Sequence, residues 1–423
     1  MIDIKFIREN LVDVIEAAKN KNIKLDTDHL LDLDDKRREL IQKSEKFRME
    51  KNEASKKIPK LSDTEKQLLL TEMKEIDGKQ DKLDKQLQKV KEEFTALMLK
   101  VPMVPSKETP VAKDENGNVE IKKWGELPEF DFTPKDHMML GEELDIIDNE
   151  RAVKIGGSRS YITKGDGARL EHALLKYAMD FISRRNYTLM TVPVLVNRFA
   201  LEGTGFFPGG EEDIYHIESD NKFLAGTSEV ALGGYYAGEI VELNKLPIKM
   251  SGMSTCYRRE AGTYGKDTHG LYRVHQFNKI EQFIICKNSD AESQKMFEEL
   301  LSNTEDFVQS LGLPYRVLNV CTGDMGQGKY FMKDIECWMP SRDGYGETHS
   351  CSNLHDYQAR RLNLRYKDEE GKTQFCHTLN NTMVATPRIL IPIIENYQNE
   401  DGTITIPEVL RPYMENQEKI EKK

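Results

Sequence analysis

Between residues 28 and 100, apolar residues recur every seven positions, a spacing that predicts long helices packed against each other. Pro59 predicts the end of a first helix, and Ser62 followed by Glu65 predicts a capping box at the start of a second. Two apolar series running along one helix form a coiled-coil seam, so we expect an antiparallel coiled-coil hairpin. The three series are Leu33, Leu40, Phe47, Ala54 and Leu61; Leu69, Ile76, Leu83, Val90 and Leu97; and Met73, Gln80, Leu87, Phe94 and Val101.

The charge of this predicted arm differs from that of the whole chain. The 423 residues contain 61 Lys and Arg against 72 Asp and Glu, a net charge of −11, which excludes a generally basic nucleic-acid coat. Residues 34–60 carry ten basic and six acidic side chains, a balance of +4, and residues 61–100 carry eight and nine, a balance of −1. A locally basic rod favours contact with a phosphate backbone. The alternative is a solvated surface used for dimerisation or as a spacer.

Length and composition predict a globular protein of two or three domains, with 38% apolar residues available for a core. The start of the chain lacks the pattern of a signal peptide, and no apolar run approaches the roughly 18 residues that span a bilayer. We therefore expect a soluble, cytoplasmic protein. The six cysteines form no C-x-x-C pair, which favours buried reduced thiols over a zinc site or disulfides.

Residues 255–285 contain two β-rich runs around a glycine-containing loop, a pattern that predicts two antiparallel strands. Alternation along a strand would place Arg258 with Glu260 on one face, and Phe277 with Glu281 on another. Phe277 and Glu281 would be about 13 Å apart. This separation suits an aromatic ring under a purine at one end and a carboxylate on a small amine at the other, with an arginine between them on a phosphate.

Four further runs complete the pattern. Residues 167–181 predict an amphipathic helix that leads into a strand at 187–193. A Thr-Ser-Glu sequence follows a glycine at 226, and residues 345–353 read Tyr-Gly-Glu-Thr-His-Ser-Cys-Ser-Asn. Residues 377–388 end in Thr-Pro-Arg. Each run alone also fits an ordinary strand end or helix cap.

Taken in order, these runs resemble the signature motifs of class II aminoacyl-tRNA synthetases, and their wording is most similar to the bacterial type of the seryl-tRNA synthetase family. The resemblance covers almost the whole chain. It implies an α+β fold, with an N-terminal antiparallel coiled-coil arm before a class II antiparallel sheet flanked by helices. Residues 1–110 would be the tRNA-binding domain, with the arm at about 28–100, and residues 111–423 the catalytic domain with motifs 1, 2 and 3.

The resemblance also implies roles for individual residues. Those implied in catalysis are Arg258, Arg388 and Glu347. Those implied in serine binding are Thr227, Ser228, Glu229, Arg258, Glu281 and Thr382. Those implied in ATP binding are Arg258, Arg259, Glu260, Val274, His275, Gln276, Phe277, Glu347, Thr348, His349, Ser350 and Arg388. Glu347 and Ser350 would hold Mg²⁺, which prefers oxygen ligands and phosphate.

The implied activity is serine–tRNA ligation, in which ATP is a substrate and tRNA(Ser), together with tRNA(Sec), is the acceptor. The loop at 261–272, with Lys266, His269 and Arg273 near it, would approach the acceptor end, and motif 1 would form a homodimer. His349 and the pair Thr386-Pro387 depart from the family pattern. Two alternatives stay open: an amino acid:carrier-protein ligase on the same scaffold, and a catalytically silent paralogue.

Overall fold

The computed structural model describes residues 1–261 and 270–422, which separate into two compact units. One unit contains Ile2–Lys19 and Ile23–Pro102, and the other contains Met1, Asn20–Asn22 and Met103–Lys423. Within the described ranges, no helix combines the length and apolar composition needed to cross a bilayer.

The first unit is helical, and its two long helices begin and end where the sequence predicts. Its helices are α1 (Ile4–Glu9), α2 (Leu11–Asn20), α3 (Thr27–Lys57) and α4 (Asp63–Met98). Pro59 lies in a short 3₁₀ turn that follows α3. The Glu65 carboxylate accepts a hydrogen bond from the backbone N–H of Ser62 at 3.0 Å, which confirms the predicted capping box.

Helices α3 and α4 form the antiparallel hairpin that the heptads predict. The Ser44 hydroxyl donates to the Asp84 carboxylate at 3.0 Å, and Lys51 pairs with Asp77, so later residues of α3 meet earlier residues of α4. The apolar seam between the helices is a buried cluster of heptad residues. Its members are Leu33, Leu40, Leu83, Leu87 and Val90.

The second unit mixes strands and helices. Its helices are α5 (His137–Glu143), α6 (Asn149–Gly156), α7 (Asp166–Ser183), α8 (Arg198–Thr204), α9 (Glu229–Gly234), α10 (Asp290–Ser310), α11 (Tyr357–Leu362) and α12 (Leu390–Asn396). Its strands are β1 (Val119–Trp124), β2 (Thr188–Thr191), β3 (Leu195–Val196), β4 (His216–Ile217), β5 (Lys222–Leu224), β6 (Ile240–Val241), β7 (Ile248–Tyr257), β8 (Gln276–Cys286), β9 (Tyr315–Asn319), β10 (Phe331–Met339), β11 (Gly344–Asn353), β12 (Arg365–Lys367), β13 (Thr373–Phe375), β14 (His377–Thr386), β15 (Ile404–Thr405) and β16 (Lys419–Ile420).

Eight of these strands form one sheet in the order β1-β9-β10-β11-β14-β8-β7-β2. The pairs within it are antiparallel except for β2 with β7, which is parallel. The predicted antiparallel pair around the glycine loop is β7 with β8, where Gly252 lies opposite Glu281. The α+β fold class with an antiparallel sheet is therefore confirmed.

Two helices cover one face of this sheet and leave its opposite face for a site. Leu174 of α7 and Phe297 of α10 are buried in the same apolar cluster as Ile280 and Ile284 of β8. Because side chains alternate along a strand, the odd-numbered residues of this part of β8 point away from the two helices. Three odd-numbered residues at the start of β8, Phe277, Lys279 and Glu281, line the cavity described next.

Candidate active site

A cavity of about 260 Å³ opens on the sheet face opposite α7 and α10. It is lined by residues of β8, β11 and β14, by the segments that follow β7 and precede β8, and by single residues of nearby loops. The lining residues are Phe206, Thr227, Glu229, Arg258, Glu260, Leu271, Tyr272, Arg273, Val274, Phe277, Lys279, Glu281, Lys329, Glu347, Thr348, Ser350, Asn380, Thr382, Ala385, Thr386, Pro387 and Arg388.

Three alternate residues of β8 form the floor of the cavity: Phe277, Lys279 and Glu281. Their spacing of two residues places them on one face of the strand. The aromatic ring and the carboxylate are the two ends that the sequence predicts. Lys279 lies between them and is absent from the predicted site, although the same alternation would have identified it.

Arg258 and Glu260 reach the cavity from beyond the end of a strand, which corrects the prediction that they alternate along one. Strand β7 ends at Tyr257, and Glu260 has a positive φ of 55°, so strand alternation does not apply there. The Arg258 guanidinium carbon lies 5.2 Å from the centroid of the Phe277 ring. The Glu260 carboxylate accepts from Arg273 at 2.8 Å.

The Arg258 guanidinium is held at its Nε, which donates to the carbonyl oxygen of Gly226 at 3.3 Å. This contact connects the segment after β7 to the Thr-Ser-Glu sequence that begins at Thr227. Arg258 therefore stands between the aromatic floor and the segment that carries Thr227 and, at the start of α9, Glu229.

The end of the cavity around Glu281 is polar and buried. Thr382 of β14 lies directly opposite Glu281 of β8 in the sheet, and the Thr227 hydroxyl donates to the Glu281 carboxylate at 3.5 Å. Glu229 is held in place because its carboxylate accepts from Asn380 at 2.8 Å. Carboxylates and hydroxyls so arranged can bind a small ammonium group and a neighbouring hydroxyl.

Charged groups of both signs lie close together inside this end of the cavity. Burial raises the pKa of Glu281, an effect that the Lys279 ammonium group opposes and the Glu229 carboxylate reinforces. Lys279 and Glu281 form an ion pair in which both side chains are buried. A second cation, Lys329, also lines the cavity and lies close enough to lower the pKa of Glu281.

Glu347 and Ser350 of β11 lie on the same wall although they are three residues apart. Regular alternation would place them on opposite faces. In the pairing of β10 with β11, Ile335 faces His349 and the next residue, Glu336, faces Glu347, so Thr348 is an extra residue. This β-bulge returns both oxygen-bearing side chains to the cavity.

Several carboxylates surround Glu347. Burial raises the pKa of Asp324 and Glu336, and raises that of Asp334 well above its usual range, and the negative charge of Glu347 adds to each shift. These crowded carboxyl groups supply further oxygen atoms beside Glu347 and Ser350, a setting that suits a divalent cation with hard ligands, such as Mg²⁺.

Arg388 approaches the same wall from the segment between β14 and α12. Its Nη1 donates to the backbone carbonyl of Glu347 at 3.0 Å and lies 3.4 Å from the Glu347 carboxylate. The Arg388 side chain is about one-quarter exposed, so its guanidinium is accessible from the cavity. The cavity thus contains two guanidinium groups. Arg388 lies beside the wall that carries Glu347 and Ser350, and Arg258 lies beside the aromatic floor at Phe277.

The structure brings most of the predicted site residues to this cavity, but the side chains of five are placed elsewhere. These are Ser228, Arg259, His275, Gln276 and His349. The Ser228 hydroxyl donates to the Gly252 carbonyl at 2.9 Å. His275 and Gln276 line a separate cavity with Asn278, and Arg259 is exposed. We leave these side chains out of the proposed site.

His349 is buried beside Thr348, with its Nδ1 2.8 Å from the Thr348 hydroxyl. Burial, assisted by the charge of Arg388, lowers the pKa of His349 to about 3, so the ring is neutral near pH 7. The predicted loop at 261–272 is described only at its ends, and Lys266 and His269 lie outside the described residues.

A second cluster of metal-capable side chains, Asp290, His355 and His377, lies apart from this cavity. The two imidazole rings are stacked, with centroids 4.3 Å apart and planes 11° from parallel. Ring nitrogens bind a metal along the ring plane, and two nearly parallel planes share no nearby point. This arrangement is therefore a stacked aromatic pair and not a preformed metal centre. The six cysteines, all within the described residues, are buried free thiols.

Comparison with known families agrees with this geometry. Residues 215–397 match the tRNA synthetase class II core domain (G, H, P, S and T), and residues 1–105 match the seryl-tRNA synthetase N-terminal domain. The sheet, its cavity and the first of these matches define a class II aminoacyl-tRNA synthetase.

Similarity over the full length identifies the family more closely. A serine–tRNA ligase of Deinococcus radiodurans is 47% identical over 99% of this chain and 98% of its own. Seryl-tRNA synthetase from Pyrococcus horikoshii, solved with ATP, superposes with a TM-score of 0.91 at 35% identity, covering all of both chains. The cytoplasmic serine–tRNA ligase of Naegleria fowleri, solved with AMP, gives 0.87 at 31% identity, covering 100% of this chain and 99% of that one. The chain belongs to the seryl-tRNA synthetase family.

Proposed function

We propose that this protein is a serine–tRNA ligase, which activates L-serine with ATP and transfers the seryl group to the 3′ end of tRNA(Ser). The observation that carries the proposal is the polar cavity whose lining combines the aromatic ring of Phe277, the nearby guanidinium of Arg258 and the buried carboxylate of Glu281. Nucleotide and amino acid would lie end to end along β8.

At the nucleotide end, the adenine base would stack on Phe277, with the Glu260 carboxylate accepting from its amino group. A ring on one side and a guanidinium on the other suit a planar base and the α-phosphate that follows it. Arg388, beside Glu347, would meet the γ-phosphate.

At the amino-acid end, Glu281 and Thr227 would bind the serine ammonium group, and Thr382 would face its hydroxyl. Polar groups built to pair with a hydroxyl are left unsatisfied by alanine, which therefore binds poorly. Threonine would be excluded by the packing around Thr382, which is 9% exposed.

In the reaction, a serine carboxylate oxygen attacks the α-phosphorus of ATP, forming the seryl-adenylate and releasing pyrophosphate. The carboxylate is already ionised at neutral pH, so no general base is required. The contribution of the protein is placement and positive charge from Arg258 and Arg388. The terminal ribose hydroxyl of tRNA then takes the seryl group and releases AMP.

Glu347 and Ser350 would hold Mg²⁺, which supplies charge neutralisation on the phosphate oxygens. Their two side-chain oxygens on one wall, surrounded by other carboxylates, fit this ion. Glu347→Gln is expected to raise the Mg²⁺ concentration that gives half-maximal pyrophosphate exchange. An unchanged Mg²⁺ dependence would contradict the assignment.

The acceptors we propose are tRNA(Ser) and tRNA(Sec), contacted through the hairpin of α3 and α4, with the cytoplasm as the compartment. We propose a homodimer formed around α7 and β2. In support, β2 is the edge strand of the large sheet, and exposed apolar side chains, including Leu189 and Leu195, lie on or near it.

The decisive test is ATP–pyrophosphate exchange across a panel of amino acids, followed by charging of total tRNA. Serine alone should support exchange, and the charged species should be serine-accepting tRNAs. Exchange without tRNA charging, but with loading of a carrier protein, would indicate the alternative ligase. Absence of exchange with every amino acid would indicate a silent paralogue.

A further inference from the structure

Tyr272, on the segment that leads into β8, lies between two guanidinium groups. The guanidinium carbon of Arg342 is 3.8 Å from the centroid of its ring, and that of Arg388 is 4.3 Å away. Two planar groups this close to one centroid cannot share one face of the ring, so they occupy opposite faces. Each contact is a cation–π interaction.

Tyr272 also holds Arg388 through its backbone. The Nε of Arg388 donates to the carbonyl oxygen of Tyr272 at 3.0 Å, while its Nη1 donates to the carbonyl of Glu347. The guanidinium is thus fixed at one edge by Tyr272, at another by Glu347, and on one face by the tyrosine ring. A group held on three sides has little rotamer freedom left to lose when it binds an anion.

The neighbouring strand is shaped to admit the ring. A Cβ atom at Gly346 of β11 would lie 3.0 Å from Cε2 of Tyr272 and 2.9 Å from the sulfur of Met339. Any larger residue at position 346 would therefore displace the ring. Arg342, at the end of the 3₁₀ turn Pro340–Arg342, closes the stack from the exposed side.

We infer that Tyr272 is a positioning residue for ATP, which together with Arg342 holds the guanidinium of Arg388 where the β- and γ-phosphates of the nucleotide bind. This inference rests on the proposed function, in which Arg388 meets the γ-phosphate. It predicts that loss of the Tyr272 ring weakens the binding of ATP but not that of AMP. The reason is that ATP has both phosphates that Arg388 would contact, whereas AMP has neither.

The test is isothermal titration of ATP and of AMP in Mg²⁺ buffer without serine, for the wild type and five variants. Tyr272→Leu removes the ring and should weaken ATP about tenfold, the equivalent of about 1.4 kcal/mol of lost cation–π interaction, with AMP nearly unchanged. Tyr272→Phe keeps the ring and should bind both nucleotides like the wild type.

Tyr345→Leu is the matched control. Tyr345 lies on β11 near Glu347 and also stacks with an arginine, Arg316 at 5.1 Å, but it does not line the cavity. Its loss should leave the ratio of ATP to AMP affinity unchanged. If Tyr272→Leu weakens ATP and AMP equally, or weakens neither, the positioning role is wrong.

Arg342→Ala tests the second guanidinium, and its exposed position makes it suitable if Tyr272→Leu does not fold. It should weaken ATP about threefold in the wild type and have no further effect in Tyr272→Leu, since it acts through the ring. Equal weakening in both backgrounds would mean that Arg342 contacts the phosphates directly. That result would overturn the inference that Arg342 acts on Arg388 through Tyr272. A wild type that binds ATP but catalyses no serine-dependent exchange would refute the proposed function alone, because the nucleotide ratios stay measurable.

Discussion

Lys279 and Glu281, two residues apart on β8, form an ion pair in the cavity with side chains that are only 7% and 2% exposed. Removing two charges from water is costly, and the pair is tolerable only because each charge neutralises the other. The pair lies where an amino acid is proposed to bind. It therefore carries both a stability cost and a potential recognition role.

Lys279→Met is expected to lower the free energy of unfolding by about 3 kcal/mol, because it leaves the Glu281 carboxylate buried without its cation. Urea denaturation measures the change. Lys249→Met is the matched control: it breaks the Lys249–Glu299 pair on the adjacent strand β7, where the side chains are 22% and 28% exposed. That loss should cost less than about 1 kcal/mol.

The double variant Lys279→Met/Glu281→Gln distinguishes the cost of an unpaired buried charge from the cost of altered side-chain packing. Replacing the carboxylate with a neutral amide should restore part of the lost stability, since no unpaired charge remains. If the single and double variants were equally destabilised, the loss would come from packing, and the electrostatic explanation would be wrong.

Glu281→Gln is expected to reduce kcat/KM for serine in pyrophosphate exchange by about two orders of magnitude. A charged hydrogen bond to the serine ammonium group, worth up to about 3 kcal/mol, would be replaced by a neutral one. AMP binding should persist, because Phe277 and Arg258 are untouched. Glu299→Gln, on α10 outside the cavity, is the control, and wild-type exchange by Glu281→Gln would refute the serine assignment.

The fold was largely predictable because its signals are local. Heptads place the seam of α3 and α4, Pro59 and the Ser62 capping box bound the two helices, and period-two alternation places Phe277 and Glu281 on one face. The family and the cavity composition were accessible because the motifs are long. These features depend on residues close together in sequence.

The remaining features depend on contacts that the sequence does not display. The bulge at Thr348, which brings Glu347 and Ser350 to one wall, is visible only in the pairing of β10 with β11. His275 and Gln276 flank residues that line the cavity, yet they line another one, because alternation turns one of them away and the bend before β8 turns the other. The stack of Tyr272 between Arg342 and Arg388 joins residues from three separate segments.

Shortening the hairpin of α3 and α4 should impair tRNA charging without affecting the activation of serine. Ser44 and Asp84 are hydrogen-bonded across the hairpin, so residues 44–84 can be replaced by a short Gly-Ser turn that joins adjacent ends. The seam residues Leu33, Leu40, Leu87 and Val90 are kept. Serine-dependent exchange should be unchanged, and tRNA charging should fall at least about tenfold through loss of phosphate contacts.

The control for the arm is a variant of normal length in which Lys46, Lys51 and Lys56 of α3 are replaced by Gln. It should fold like the wild type and show a weaker dependence of charging on salt. If the shortened protein charged tRNA as well as the intact protein, the hairpin would have no role in tRNA binding.

His377, stacked on His355, should make stability depend on pH. Burial, with a contribution from the charge of His355, lowers the pKa of His377 to about 3 from its usual 6.5. Between these values the unfolded chain binds a proton that the native protein does not. The free energy of unfolding should therefore fall as pH drops below about 6.5, by up to about 1.4 kcal/mol per pH unit for one proton.

His377→Asn should make this dependence shallower, and thermal unfolding followed by circular dichroism from pH 7.5 to 5 would measure the slope. His29→Asn, at an exposed position on α3, is the matched control and should leave the slope unchanged. The burial of His355 also lowers its pKa, so the double variant His355→Asn/His377→Asn should have a smaller slope than either single variant. If the slopes of the wild type and the double variant were equal, the stacked pair would not be the source of acid sensitivity.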